Sequence, residues 1–317
     1  MNNASQQLVS SQLAIGFDIG GTNIRAGVVD AEGQVLDTRE AATPKHAADL
    51  EESIEKLVTE LRVDHDIQAV GLAVAGFIDP TCTTVRFAPH LPWRNAPVRD
   101  SIQERIGLPV RLEHDANSAA WGENRFGAGK EAQDWVFFAI GTGIGATLMA
   151  KGEIYRGAFG TAPEFGHLTV VPGGRECSCG KAGCLERYAS GTALPDIAVD
   201  LGSKYESSLP VVPTGEEIVA AARAGDPLGI AVMEEFGTWL GQGLAMVADV
   251  LDPELIVLGG GVSRASDLYL DIARQGMQDN IVGAGYRQVA ELKVADLGSQ
   301  AGMIGAADLA RASVCVS

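Results

Sequence analysis

Three times in this sequence an apolar, strand-like run breaks into glycines. Leu13 to Asp18 leads into Ile19-Gly20-Gly21-Thr22-Asn23, Trp135 to Ile140 into Gly141-Thr142-Gly143-Ile144-Gly145, and Leu255 to Leu258 into Gly259-Gly260-Gly261. Between these runs the apolar period changes. Leu50, Ile54, Leu57, Val58 and Leu61 recur at helical spacing between Ala47 and Arg62, and Ala69 to Ala75 then returns to strand. Further helices are expected over Pro97 to Ile106, Asn117 to Phe126 and Ala301 to Arg311, with a strand at Val110 to Leu112. A long helix is expected from Pro227 to about Val250, capped by Asp226 with the proline at its first position. Strands alternating with helices give the α/β class.

Charge removes several kinds of partner. The 24 Lys and Arg stand against 41 Asp and Glu, a net charge of −17, and no basic cluster offsets it, so no nucleic acid is expected. The apolar runs fall far short of the ~20 residues that span a bilayer, so no membrane partner is expected. Met1 to Gln7 is polar and lacks the basic-then-apolar order of a secretion signal, which makes the cytoplasm the expected location.

In the first glycine turn, Gly20 and Gly21 let backbone N–H groups approach phosphate oxygens, Thr22 adds a hydroxyl, and Asp18 at the strand end suits Mg²⁺. A tight hairpin with no ligand explains the same residues. Gly141-Thr142-Gly143 repeats the pattern, and the recurrence favours a split phosphate site. Neither GxxxxGK[ST] nor GxGxxG occurs, so P-loop and simple Rossmann proteins are not expected. His114-Asp115-Ala116-Asn117 marks a strand-to-helix bend where Asp115 is either an N-cap or a carboxylate placed to accept a hydroxyl proton.

Five cysteines are too few for a disulfide framework, yet Cys177, Cys179 and Cys184 crowd into eight positions after Glu164-Phe165-Gly166-His167. Three thiolates and the His167 imidazole match a closed tetrahedral Zn²⁺ site, which is structural because it leaves no position for water. Such a metal would hold Glu164 and Glu186 as acceptors for the hydroxyls of a neutral polyol.

Together, DIGGTN at 18–23, HDAN at 114–117, GTGIG at 141–145, EFGH at 164–167, CSCGKAGCLE at 177–186 and GGG at 259–261 resemble the ROK family of repressors, open reading frames and sugar kinases over nearly the full length. The resemblance implies a two-domain actin-like or hexokinase-like ATPase fold with an interdomain cleft. An N-terminal domain at 1–120 is expected, rejoined by the helix at about 301–317, and a larger one at 121–300 carries the zinc loop. Implied ATP-binding residues are Gly20, Gly21, Thr22, Asn23, Gly141, Thr142, Gly143, Gly259, Gly260 and Gly261. Asp115 becomes the general base, with Gly76, His90, His114, Glu164, His167 and Glu186 on the sugar. Implied cofactors are Mg²⁺ with ATP and a structural Zn²⁺; implied partners are glucose, ATP and further copies in a homodimer or homotetramer.

Two departures fall in the sugar set. Family members most often carry Asn before the Asp, where this chain has His114, and many carry Asn in the segment around His90. Glucose phosphorylated at O6 is the leading expectation. Another hexose (mannose, fructose or an N-acetylhexosamine), polyphosphate as donor, and a non-catalytic sugar sensor are the alternatives. A DNA-binding repressor would need an N-terminal helix-turn-helix, and twelve residues precede the first strand.

Overall fold

The computed structural model describes residues 12–314; Met1 to Gln7 and Cys315 lie outside them. In chain order the elements are β1 (Leu13–Ile19), β2 (Asn23–Val29), β3 (Val35–Ala42), α1 (Ala47–Leu61), β4 (Ile67–Val74), β5 (Phe77–Ile78), β6 (Val85–Phe87) and β7 (Arg94–Ala96). Then come α2 (Val98–Ile106), β8 (Val110–His114), α3 (Asp115–Phe126), β9 (Trp135–Ile140), β10 (Ile144–Ala150) and β11 (Glu153–Tyr155). The chain closes with α4 (Ala193–Leu201), α5 (Gly215–Arg223), α6 (Pro227–Leu251), β12 (Leu255–Gly259), α7 (Leu270–Asn280), β13 (Glu291–Val294) and α8 (Ala301–Val314). Contacts divide the described residues into a first unit of 12–132, Thr147–Pro163 and 296–314 and a second of Gln133–Ala146 and Glu164–Ala295. The border read from sequence at 120/121 falls inside α3, which runs through it unbroken.

In the first unit the sheet order is β3-β2-β1-β4-β8. The first three strands form an antiparallel meander, and β4 and β8 are parallel to β1. One face carries Ile15, Phe17 and Ile19, which share a buried cluster with Leu50, Ile54, Leu57, Val58 and Leu61 of α1 and Val98, Ile102 and Ile106 of α2. The opposite face is nearly bare: Gly27, Gly16 and Gly71 stand side by side across β2, β1 and β4. A Cβ on Gly16 would lie 1.8 Å from the Met303 carbonyl oxygen, and one on Gly71 1.9 Å from that of Ala306. Glycine therefore lets α8 lie directly on the sheet. A Cβ on Gly305 would likewise meet Ser118 O at 1.8 Å, so α8 and α3 also pack backbone to backbone. The carboxylate of Glu123 on α3 accepts the N–H groups of Ala128, Asp296 and Leu297, fixing the approach to α8.

In the second unit β12 lies between β9 and β13, parallel to both, and β10 starts on the other side of β9. The helix α6 begins as its sequence dictates: Asp226 accepts N–H bonds from Leu228 and Gly229, and Pro227 occupies the first turn. No helix among the described residues is long and apolar enough to cross a membrane.

Candidate active site

The sequence-identified residues of the first unit gather at the carboxyl ends of three adjacent parallel strands. β1 ends beside Asp18 and opens into the Gly20–Asn23 turn, β4 runs out to Gly76, and β8 ends at His114 with Asp115 next. In open α/β sheets that edge is where ligands bind, because loops diverge there and leave backbone groups unpaired.

The first turn is closed by the Gly20 N–H on Asn23 O at 3.0 Å and tied to Thr43, whose hydroxyl donates to Gly20 O at 2.7 Å and whose N–H donates to Thr22 O. Gly21, Thr22 and Asn23 are exposed. A Cβ on Gly21 would come 2.6 Å from His90 Cβ, so the turn and the His90 loop touch. Gly76 is required by close approach too, since a Cβ would press on Phe87 O at 2.7 Å.

Asp115 is the first residue of α3 and not its N-cap: His114 takes that position, without a side-chain cap bond. The Asp115 carboxylate accepts the Ala116 N–H at 2.7 Å and lies 3.2 Å from His114 Nδ1. Burial, then the charge of Asp115, pushes Asp18 up to about 6, with Arg25 opposing. A divalent cation removes that penalty, and a hard carboxylate oxygen beside a second acid suits Mg²⁺. Asp18 also lines a cavity of about 280 Å³ with Arg25, Thr38, Arg39, Ser299 and Gln300.

In the second unit, His167, Cys177, Cys179 and Cys184 bring one ligand atom each within 4.8 Å of all the others. Cys179 Sγ and Cys184 Sγ are 3.6 Å apart, as are Cys177 Sγ and His167 Nδ1. A tetrahedron with Zn–S bonds of about 2.3 Å has edges of about 3.8 Å, so the donors fit Zn²⁺. Their spacing follows from the turns: Gly180 and Gly183 adopt φ of 89° and 80°. The Gly183 N–H bonds to Arg175 O, and Lys181 Nζ donates to His167 O at 2.6 Å.

With Nδ1 turned to the thiols, His167 leaves Nε2 on the side of Glu164, 3.9 Å from Oε2. Glu186 Oε1 lies 3.6 Å from Nδ1 and accepts from Cys177 Sγ, while Oε2 accepts the Ile144 N–H at 3.4 Å. A Cβ on Gly143 would collide with Glu186 Oε2 at 2.6 Å, which brings the glycine turn after β9 against the metal-loop carboxylate. Thr192 Oγ1 donates to Thr142 O, and the Gly191 N–H to Gly141 O at 2.7 Å.

The turns after β9 and β12 leave neighbouring parallel strands. Gly141 and Gly261 have open space where a Cβ would stand. Gly260, at φ 83°, has no room for one against Ile140. Gly259 differs: it is buried within β12, and its missing side chain makes way for the Phe137 ring at 2.5 Å. Sequence reading missed the polar group beneath Asp115, where Glu113, Asn117, Arg111 and Arg156 are joined by hydrogen bonds. The signal for part of it is the charged pair Arg111 and Glu113 alternating with the apolar Val110 and Leu112.

The ROK family model matches residues 14–313. The glucokinase of Streptomyces coelicolor (strain ATCC BAA-471 / A3(2) / M145) is 42% identical over 309 residues, 94% of this chain and 98% of that protein. The crystal structure of a ROK family glucokinase from Streptomyces griseus in complex with glucose and AMPPNP superposes with a TM-score of 0.83 at 43% identity, covering 95% of this chain and 99% of that one. A ROK family transcriptional regulator, homologous to the E. coli MLC protein, superposes at 0.87 with 26% identity, covering 96% and 78%. With a family model spanning nearly every described residue and glucokinases similar along the whole length, the chain belongs to the ROK family.

Proposed function

We propose that this chain is a glucokinase that transfers the γ-phosphoryl group of ATP to O6 of glucose. The observation that carries the reading is the convergence of Asp18, Gly76 and His114-Asp115 on the carboxyl ends of β1, β4 and β8. Glucokinases similar over the whole chain support the substrate pair.

Phosphoryl transfer needs positioning and charge stabilisation more than covalent chemistry, and the parts divide between the units. From the first, Asp115 takes the proton of the 6-hydroxyl as it attacks, and the Gly20–Asn23 turn offers N–H and hydroxyl donors to phosphate oxygens. Mg²⁺ bound with the nucleotide would supply positive charge to stabilise the transfer, and Asp18 would hold it. His90 and His114 read sugar hydroxyls in place of the Asn usual in the family. From the second, Glu164, His167 and Glu186 accept sugar hydroxyls, and Gly141, Thr142, Gly143, Gly260 and Gly261 line the nucleotide. Zn²⁺ on His167, Cys177, Cys179 and Cys184 would fold the loop that carries Glu186 and fix the His167 ring. The units are read as the N-terminal domain bearing the base and the C-terminal domain bearing the zinc loop. A homodimer or homotetramer is the family expectation, which sedimentation of the purified protein reads.

The test is turnover with Mg·ATP on glucose, mannose, fructose, N-acetylglucosamine and N-acetylmannosamine, with Asp115→Asn in parallel. Glucose should be preferred, and the variant should lose about 10²- to 10⁴-fold in kcat while still binding glucose. Phosphorylation of no sugar, with ATP or with polyphosphate, would overturn the kinase reading in favour of a sugar sensor.

A further inference from the structure

Glu113, two residues before Asp115, is a carboxylate in a place where stability does not call for one. It is 2% exposed, on a strand whose neighbours Val110 and Leu112 are core residues. Replacing a buried ion pair by apolar groups of like shape is commonly neutral or stabilising, so the pair demands another account.

Its hydrogen bonds supply one. Oε1 accepts the His114 backbone N–H at 3.1 Å and Asn117 Nδ2 at 2.9 Å, with Arg156 Nε at 3.4 Å. Oε2 accepts from Arg111 Nη2 at 3.2 Å and from Arg156 Nη2, completing a two-pronged guanidinium contact. Cys82 Sγ approaches Oε2 at 3.9 Å. One oxygen thus grips the backbone just before Asp115 and a side chain in the first turn of α3 just after it. Asn117 Oδ1 accepts in turn from Thr147 Oγ1 at 3.0 Å. Both Thr147 and Arg156 belong to Thr147–Pro163, the segment that re-enters the first unit.

We propose that Glu113, clamped by Arg156, is a positioning residue that fixes the bend from β8 into α3 and thereby aims the Asp115 carboxylate at the attacking hydroxyl. It touches neither sugar nor nucleotide and acts through Asp115. The inference rests on the reading of Asp115 as the base.

The experiment measures kcat, and KM for glucose and ATP, in Glu113→Gln, Arg156→Lys, Asp115→Asn and the doubles Glu113→Gln/Asp115→Asn and Arg156→Lys/Asp115→Asn, with glucose affinity by calorimetry. Misaiming a reacting group by about 1 Å costs about 10²-fold, so Glu113→Gln should lose about 10- to 100-fold in kcat with KM and glucose affinity nearly unchanged. Arg156→Lys keeps the charge but not the fork and should lose less. Neither change should slow the enzyme further once Asp115 is Asn, a non-additivity that general loosening of the fold does not produce. Normal kcat in both single variants, a loss confined to KM, or losses that add to that of Asp115→Asn would each overturn the proposal. Should Glu113→Gln not fold, Arg156→Lys, whose side chain is 25% exposed, decides it alone. An active Asp115→Asn would instead bring down the reading of the base itself.

Discussion

Asp18 at the end of β1 carries the electrostatic imprint of Asp115 at the start of α3: burial and then that neighbouring charge lift its carboxyl from 3.8 to about 6. Between these values the folded chain holds a proton that the unfolded chain has released. Stability contributed by Asp18 is therefore greatest at low pH, declines from about pH 4 to about pH 6, and stays lowered above. Asp18→Asn should stabilise the protein at pH 7.5, by up to about 3 kcal/mol, and change little at pH 4. Urea melts of both proteins at the two pH values check this. An equal effect at both, or destabilisation at pH 7.5, would refute it. The same variant should have almost no activity, and wild-type kcat/KM for Mg·ATP, which reports the metal-free site, should fall as pH drops below about 6.

Zinc analysis of the purified protein should find about one ion per chain, lost in Cys184→Ser. Cys184 is fully buried, and its ring of donors fixes His167 and, two residues along the chain, Glu186. Glucose affinity should fall at least about tenfold with the metal, and the protein should melt earlier. A zinc-free variant that binds glucose normally would separate the loop from the sugar.

Two glycines one turn apart on α8 should respond in opposite directions to alanine. Gly302 has nothing within 4 Å of a new Cβ, so Gly302→Ala should stabilise by about 0.5–1 kcal/mol through helix propensity. Gly305→Ala drives a methyl to 1.8 Å from Ser118 O and should cost about 3 kcal/mol or more. Thermal melts of the pair suffice; equal effects would contradict the backbone-to-backbone packing of α3 and α8.

Gly21→Ala places a methyl 2.6 Å from His90 Cβ and should displace the His90 loop. KM for glucose should rise about tenfold with the melting temperature nearly constant, because both residues are exposed. An unchanged KM would remove His90 from the sugar set.

Much of the architecture was legible because its signals are local. Asp226-Pro227 announces the start of α6 within four residues, and β9 emerges at Trp135–Ile140, the span its apolar run marks. The cysteine cluster is legible for the same reason, since glycine turns bring Cys177, Cys179 and Cys184 together over eight positions. What was not legible is set by distant partners. Glu113 and Arg156 are 43 residues apart, and nothing near either in sequence announces the pair. Gly259 looks like its neighbours in the GGG run, yet the Phe137 ring on the adjacent strand accounts for it. The packing of α3 against α8, a helix encoded almost two hundred residues later, is set by distant partners in the same way.

That late partner has a consequence for biosynthesis. The glycine stripe across β2, β1 and β4 is covered by α8, so that face of the sheet stays uncovered until α8, encoded well after β4, has emerged. The second unit, encoded between Gln133 and Ala295, has all its residues available earlier. The first unit thus closes only after α8 is made, later than the residues of the second unit.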